Sequence, residues 1–164
     1  MKTALYVAAV TRTYRRAIDD FLKDPELYQK NLPWYKEEIG KCTYREFTTG
    51  FFFGKPGPDE QIYGNSTYVK NYTYLGTAGE ADENCRVVLL QKNKFSRGDR
   101  IEIMKPDGRN LETEVLEIAD RDGNLQESAP HARQELHVRF SVTPEPLDIL
   151  RVRTPENETD WSNG

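Results

Sequence analysis

Arg100-Ile101-Glu102-Ile103-Met104, followed by Pro106-Asp107-Gly108 and then the run from Leu111 to Ile118, decide the fold class. The first block alternates with period two, which sends Ile101 and Ile103 to one face of a pleated strand and Arg100 and Glu102 to the other. Pro106 presets φ for a turn and Gly108 tolerates a positive φ, so the chain reverses there. Leu111 to Ile118 then returns as the antiparallel partner.

The same grammar extends in both directions. Upstream, Glu46 to Phe53 is rich in aromatic and β-branched residues and stops at Gly54-Lys55-Pro56-Gly57-Pro58. Tyr68 to Leu75 reads as another strand, and Arg86 to Gln91 as a buried one, the two joined by the polar turn Glu80 to Asn84. Downstream, Asp122-Gly123-Asn124 marks a hairpin, Glu135 to Phe140 alternates, and Leu147 to Val152 closes the series. Six or seven short strands with tight turns imply a mainly β fold, either a barrel or a sandwich. A small antiparallel β-barrel is the favoured form, because closure removes the exposed edges that a sheet of this size would otherwise carry.

Before the strands the periodicity is helical. Val7, Val10, Tyr14, Ile18 and Phe21 recur at intervals of three and four, with Arg12, Arg15, Arg16 and Asp19 on the other side. One long helix of about 20 residues is expected, its apolar stripe needing a surface to cover it. Asp24-Pro25-Glu26 is a cap followed by proline in a first turn. A short helix is expected from near Pro33 through Trp34 to Ile39, stopped by Gly40. The resulting division is a helical segment over 1–42, a β-barrel domain over 43–153 and a disordered tail over 154–164.

Composition bounds the chemistry. The chain has 164 residues, 37% hydrophobic, with a formal net charge of −4 and two cysteines. No apolar run reaches the ~18 residues of a membrane span, and the opening residues lack the apolar core and cleavage site of a signal peptide. A soluble, cytoplasmic protein without a disulfide framework is expected. The chain contains no G-x-S-x-G, H-E-x-x-H, phosphate-binding glycine loop or C-x-x-C pattern. No catalytic, cofactor or metal residue can therefore be assigned. His131, in Ala129-Pro130-His131, is retained only because loops concentrate function.

Two clusters stand out. Residues 86–109 carry a local charge of +4 and residues 110–164 one of −7. Arg86, Lys92, Lys94, Arg97 and Arg109, with Phe95 for stacking, form a candidate surface for RNA or another substrate. A solvated strand face would show the same lysines and arginines, and that reading stays open. Phe47, Phe51, Phe52 and Phe53, with Lys55, exceed what a half-exposed strand needs, and form a candidate docking surface for another domain. Core packing between helices and barrel is the alternative for most of them.

Three blocks resemble a known family. Phe47 to Gly57, Gln91 to Asp99 and Ala129-Pro130-His131 are similar to the C-terminal region of the collagenase-like peptidase family U-32, and Met1 to Asp19 is similar to the end of that family's larger N-terminal domain. The resemblance spans about residues 1–153. It implies a translation-factor-like barrel here and, as partner, a TIM-barrel-type N-terminal domain bearing the family's cysteine signature. It also implies a hydrolase or, in a related branch, a prephenate-dependent tRNA uridine hydroxylation protein. Any iron–sulfur cluster would sit on cysteines of the N-terminal domain, with no cofactor in this chain. Thr43-Tyr44-Arg45 stands where the family often has Ser-His-Arg, so no role of that histidine carries over. Three functions stay open: a non-catalytic accessory domain of a U-32 peptidase, an RNA-binding module of a tRNA-hydroxylating relative, and a domain with its own peptidase activity. The substrate is accordingly polypeptide or tRNA.

Overall fold

The computed structural model describes residues 2–42, 52, 54–55 and 71–154. Two helices come first, α1 (Ala4–Lys23) and α2 (Pro25–Ile39). Thr3 caps α1 by accepting the Tyr6 N–H at 3.2 Å, and Asp24 caps α2 by accepting the Glu26 N–H at 2.9 Å. The second helix thus begins at Pro25, eight residues before the expected start near Pro33. Asp24 and Pro25 supply its cap and first turn, and Pro33 is carried inside it. Losing one helical hydrogen bond at that proline is offset by packing on α1. Tyr35 Oη and Asn31 Nδ2 both donate to Asp20 Oδ2, at 2.6 and 2.8 Å, and Arg16 lies over the Trp34 ring at 4.5 Å.

The face of α1 that packs is the reverse of the one its periodicity suggests. Leu5, Ala9, Arg12 and Thr13 are buried, whereas Val7, Tyr14, Ile18 and Phe21 are exposed. The physical reason lies in what the inner face meets. The strands beneath present carbonyls and carboxylates that a guanidinium satisfies better than a methyl group does.

Those strands are β1 (Tyr72–Ala81), β2 (Arg86–Leu90), β3 (Phe95–Ser96), β4 (Arg100–Met104), β5 (Asn110–Ala119), β6 (Leu125–Gln126), β7 (Ser128–Ala129), β8 (Glu135–Phe140) and β9 (Ile149–Arg153). The deciding hairpin pairs β4 with β5, Ile101 opposite Thr113 and Ile103 opposite Leu111. Antiparallel pairings run β4–β9–β1–β2–β8–β5 and return to β4, so six strands close into a ring with no free edge. That is the hydrogen-bond topology a small antiparallel barrel requires. The short β3 and β7 pair separately, and β6 folds back on β5.

Alternation fills the ring. Leu75, Val87, Leu89, Ile101, Ile103, Val115, Ile118, Leu136, Val138 and Leu150 form one buried cluster. Gly76 is required where β1 crosses β2, since a Cβ there would lie 2.5 Å from Leu89 Cδ1 and 3.0 Å from the Leu90 carbonyl oxygen. Strand β2 is half-buried rather than fully buried, with Leu90 turned to solvent. The last strand starts at Ile149 instead of Leu147. Leu147 adopts φ 74° with its side chain exposed, outside strand geometry.

On the outer face of β4, β9 and β1 sit Glu102, Met104, Ile149, Arg151, Tyr72 and Tyr74, the surface that α1 and α2 cover. Met104, Ile149, Leu5, Ala9 and Cys42 make a second apolar cluster there. No helix among the described residues is long and apolar enough to cross a membrane. The expected strand over Glu46 to Phe53, the first residues of the Tyr68 strand and the tail beyond Thr154 lie outside the described residues.

Candidate nucleic-acid interface

One end of the ring is built by two segments that backbone hydrogen bonds hold together. The Arg133 N–H donates to the Gln91 carbonyl (2.8 Å), and the Gln91 N–H to the Gln134 carbonyl (2.9 Å). The Gln91 side chain, fully buried, donates through Nε2 to the carbonyls of Ala129 and Asn93. Phe95 pairs with Ala129 between β3 and β7. A buried amide and three backbone links therefore carry the 91–95 segment against the 129–134 segment.

This junction puts Lys92, Lys94, His131 and Arg133 on exposed loops of one rim. Lys92, Lys94 and Arg133 have no carboxylate partner among the described residues. Lys92 also borders a hollow of about 630 Å³ with Asn93, Tyr72, Tyr74 and the start of α1 at Thr3 and Ala4. Asn93 Nδ2 donates to the Tyr74 carbonyl at 2.7 Å and fixes the segment there. Cations and aromatic side chains at one opening can hold a phosphate and a base.

The other expected basic residues are neutralised. Arg86 places Nε 2.7 Å and Nη2 2.6 Å from Glu117 Oε1, and Arg139 shares that carboxylate at 3.4 Å. Arg97 meets Glu127 at 3.4 Å, and Arg109 meets Asp107 at 2.7 Å. Lys105, counted in the basic hairpin, is buried between Asp148 (2.7 Å) and Glu145 (2.8 Å). Phe95 is 2% exposed in the ring core and offers no ring for stacking. Its apolar character in a charged segment, the cue that suggested stacking, marks a core residue here. Tyr72 and Tyr74 border the hollow with Lys92, although Tyr72 already lies under Arg151 and Lys41 and Tyr74 packs on the Met104–Ile149 cluster. Arg133 carried no signal of its own, because only the fold brings residues 131–133 beside Lys92.

A second polar cluster is sealed between helices and ring. Glu38 on α2 takes Arg12 of α1 on Oε1, where Arg151 Nη2 of β9 also stands at 2.7 Å. Asn110 Nδ2 donates to Glu38 Oε2 at 2.9 Å, and Arg12 Nη2 donates back to Asn110 Oδ1 at 3.0 Å. Arg12 Nη1 reaches the carbonyls of Lys105 (2.8 Å) and Arg109 (3.2 Å). Arg151 Nε donates to Glu102 Oε1 at 2.6 Å, and its guanidinium and Lys41 lie over the Tyr72 ring. Burial alone would raise the Glu38 carboxyl, but Arg151 and Arg12 outweigh it and hold the group below the usual range. The cluster is closed to solvent and has no nucleophile, so its chemistry is adhesion of α1 and α2 to the ring.

The two histidines and two cysteines sit on four different segments. His131 stands on an exposed loop, and His137 faces Asp82 at 3.9 Å on the outside of β8. Cys42 is buried, which pushes its thiol up, while Cys85 is exposed at the β1–β2 turn with φ 57°. Among the described residues no group of three or more His, Cys, Asp or Glu is placed to hold a metal. Phe52 and Lys55 are exposed, and Phe47, Phe51 and Phe53 lie outside the described residues.

Comparison with known proteins adds three findings. Residues 70–151 match the model of the peptidase family U32 C-terminal domain, and residues 1–62 that of peptidase family U32. The chain is 34% identical over 152 residues to tRNA hydroxylation protein P1 of Bacillus subtilis, covering 92% of this chain and 36% of that protein. It is 30% identical over 133 residues to tRNA hydroxylation protein P of Escherichia coli, covering 74% and 28%. It thus spans about a third of the length of these curated relatives. A crystal structure of the C-terminal domain of a Geobacillus thermoleovorans U32 protein aligns over 49% of this chain and 99% of that one, with 25% identity and a TM-score of 0.44.

Proposed function

The chain belongs to peptidase family U32, and from that premise we propose that it acts as a non-catalytic RNA-binding module of a tRNA-hydroxylating member of the family. The observation that carries this reading is the unneutralised rim of Lys92, Lys94 and Arg133, of which Lys92 borders the hollow that Tyr72 and Tyr74 line. Three cations without carboxylate partners on one rim are available to phosphates, whereas Arg86, Arg97, Lys105 and Arg109 are already paired. The names of the relatives select tRNA among RNAs.

The rim grips the backbone of the tRNA and leaves the chemistry to a U32 domain, for which the resemblance implies a TIM-barrel type. With a net charge of −4, the module adds to that domain's affinity rather than supplying all of it.

Fluorescence anisotropy with labelled, unmodified tRNA at low ionic strength tests this. The expected result is weak binding whose log–log salt dependence has a slope of about −2 to −3, the value for three phosphate contacts. No binding at low salt, or binding indifferent to salt, would overturn it.

A further inference from the structure

Helix α1 turns its apolar face to solvent. Val7, Tyr14, Ile18 and Phe21 line one side of it at intervals of seven, four and three, each about half exposed, with Leu22 more exposed still. They lie opposite the buried Leu5, Ala9 and Arg12. Thr11 completes the ridge, which contains no charged residue. Amphipathic helices normally pack this stripe inward, and an uncovered apolar ridge of this length marks an interaction surface.

A hollow of about 360 Å³ runs beside the ridge, lined by Thr11, Met104, Pro106, Leu147 and Ile149 and also by Arg12, Arg15 and Lys105, each of these cations being paired with a carboxylate. Leu147 is 78% exposed and held at φ 74°. A bulky residue kept in the left-handed region, with its side chain in solvent, has no use inside the ring. Ridge and hollow meet at Thr11, and Leu147 lies in the hollow's lining.

We propose that this face is the seam on which a U32 domain docks. Residues 1–62 match the U32 family model, separately from the C-terminal domain matched at 70–151, so α1 is sequence shared with that domain. The Bacillus subtilis relative carries most of its length outside the aligned region, which supplies a partner of the required size. An uncharged ridge flanked by a hollow whose cations are already paired with carboxylates fits a packed protein surface and not a phosphate backbone. The RNA reading does not enter this inference.

The test is a labelling comparison. Ile18→Cys is introduced into the whole chain, which is studied alone and also fused in place of the aligned region of the Bacillus subtilis relative. Exposed Cys85 serves as an internal control in both, because Ile18 and Cys85 are both solvent-facing in the chain alone. Maleimide should modify Cys at position 18 as readily as Cys85 in the chain alone, and at least about tenfold more slowly in the fusion, with Cys85 unchanged. Equal labelling of position 18 in both proteins overturns the proposal. So does slow labelling in the chain alone accompanied by a dimer in sedimentation, which would assign the ridge to a second copy. Leu147→Cys repeats the comparison independently, so failure of one variant to fold leaves the question decided by the other.

Discussion

Arg151 and Glu38 stand 2.7 Å apart with neither side chain exposed, one on the last strand of the ring and the other on the second helix. Arg12 completes the contact from α1. Three elements from opposite ends of the chain thus converge on one carboxylate, and the helices belong mechanically to the ring through charge as much as through apolar contact.

Breaking a buried pair by removing one partner costs about 3–5 kcal/mol, because the other charge is left without compensation. Glu38→Gln should lower stability by that order, since it leaves Arg12 with no carboxylate and Arg151 with Glu102 alone. Glu117→Gln, which loosens the partly exposed pair with Arg86, should cost only about 0–1 kcal/mol. Urea midpoints of the two variants read the difference, and equal midpoints would contradict the assignment of Glu38 as the joint.

Glu38 also gives the joint a pH dependence. Its carboxyl is held below the ordinary value of 4.5 in the folded state, so its contribution is fully present above that value. The contribution is lost as pH falls through the depressed folded value. The melting temperature of the wild type should therefore fall more steeply below pH 4.5 than that of Glu38→Gln, and the two curves should converge in acid. Parallel curves would show that Glu38 does not titrate with unfolding.

The basic residues should divide into two groups in RNA binding. Reversing Lys92, Lys94 and Arg133 to glutamate should abolish measurable tRNA binding, and each single reversal should reduce the salt slope by about 0.7–0.9. Arg86→Gln and Arg109→Gln should have little effect, because Glu117 and Asp107 already occupy those guanidiniums. Anisotropy titrations across salt concentrations separate the groups, and a larger loss from Arg86→Gln than from Lys92→Glu would move the interface to β2.

Ring closure can be tested at Gly76. A methyl group there meets both a Leu89 side-chain carbon and the Leu90 carbonyl, and overpacking of this kind costs about 1–3 kcal/mol. Gly76→Ala should lower the urea midpoint accordingly. Gly98→Ala meets no atom within 4 Å and should show only the backbone strain of its positive φ.

Much of the fold is legible locally. The β4–β5 hairpin follows from alternation and from Pro106 to Gly108, and the turns at Asp82 and Asp120 follow from side chains that accept nearby backbone N–H groups. The Asp24 cap was equally visible, although Pro33 drew the expected helix start away from it. The site was legible only in part. Lys92 and Lys94 could be singled out by charge, but their pairing state could not, since Glu117, Glu127 and Asp148 are brought to the other basic residues by register and loop packing.

The sequence by itself determined the first helix, the six longer strands in outline, the turns and the local excess of positive charge, because each depends on neighbours a few residues away. Tertiary structure alone decided which face of α1 is inside, that Arg151 and Glu38 are buried partners, that Phe95 is core, and that Lys92, Lys94 and Arg133 share a rim. Periodicity specifies that a helix has two faces, and patterning favours the apolar one as the inner face. The inner face was instead set by what the ring offers beneath it: Glu102, Arg151 and the carbonyls of Lys105 and Arg109, whose burial requires charged partners. The apolar stripe of α1 was left outside for the same reason.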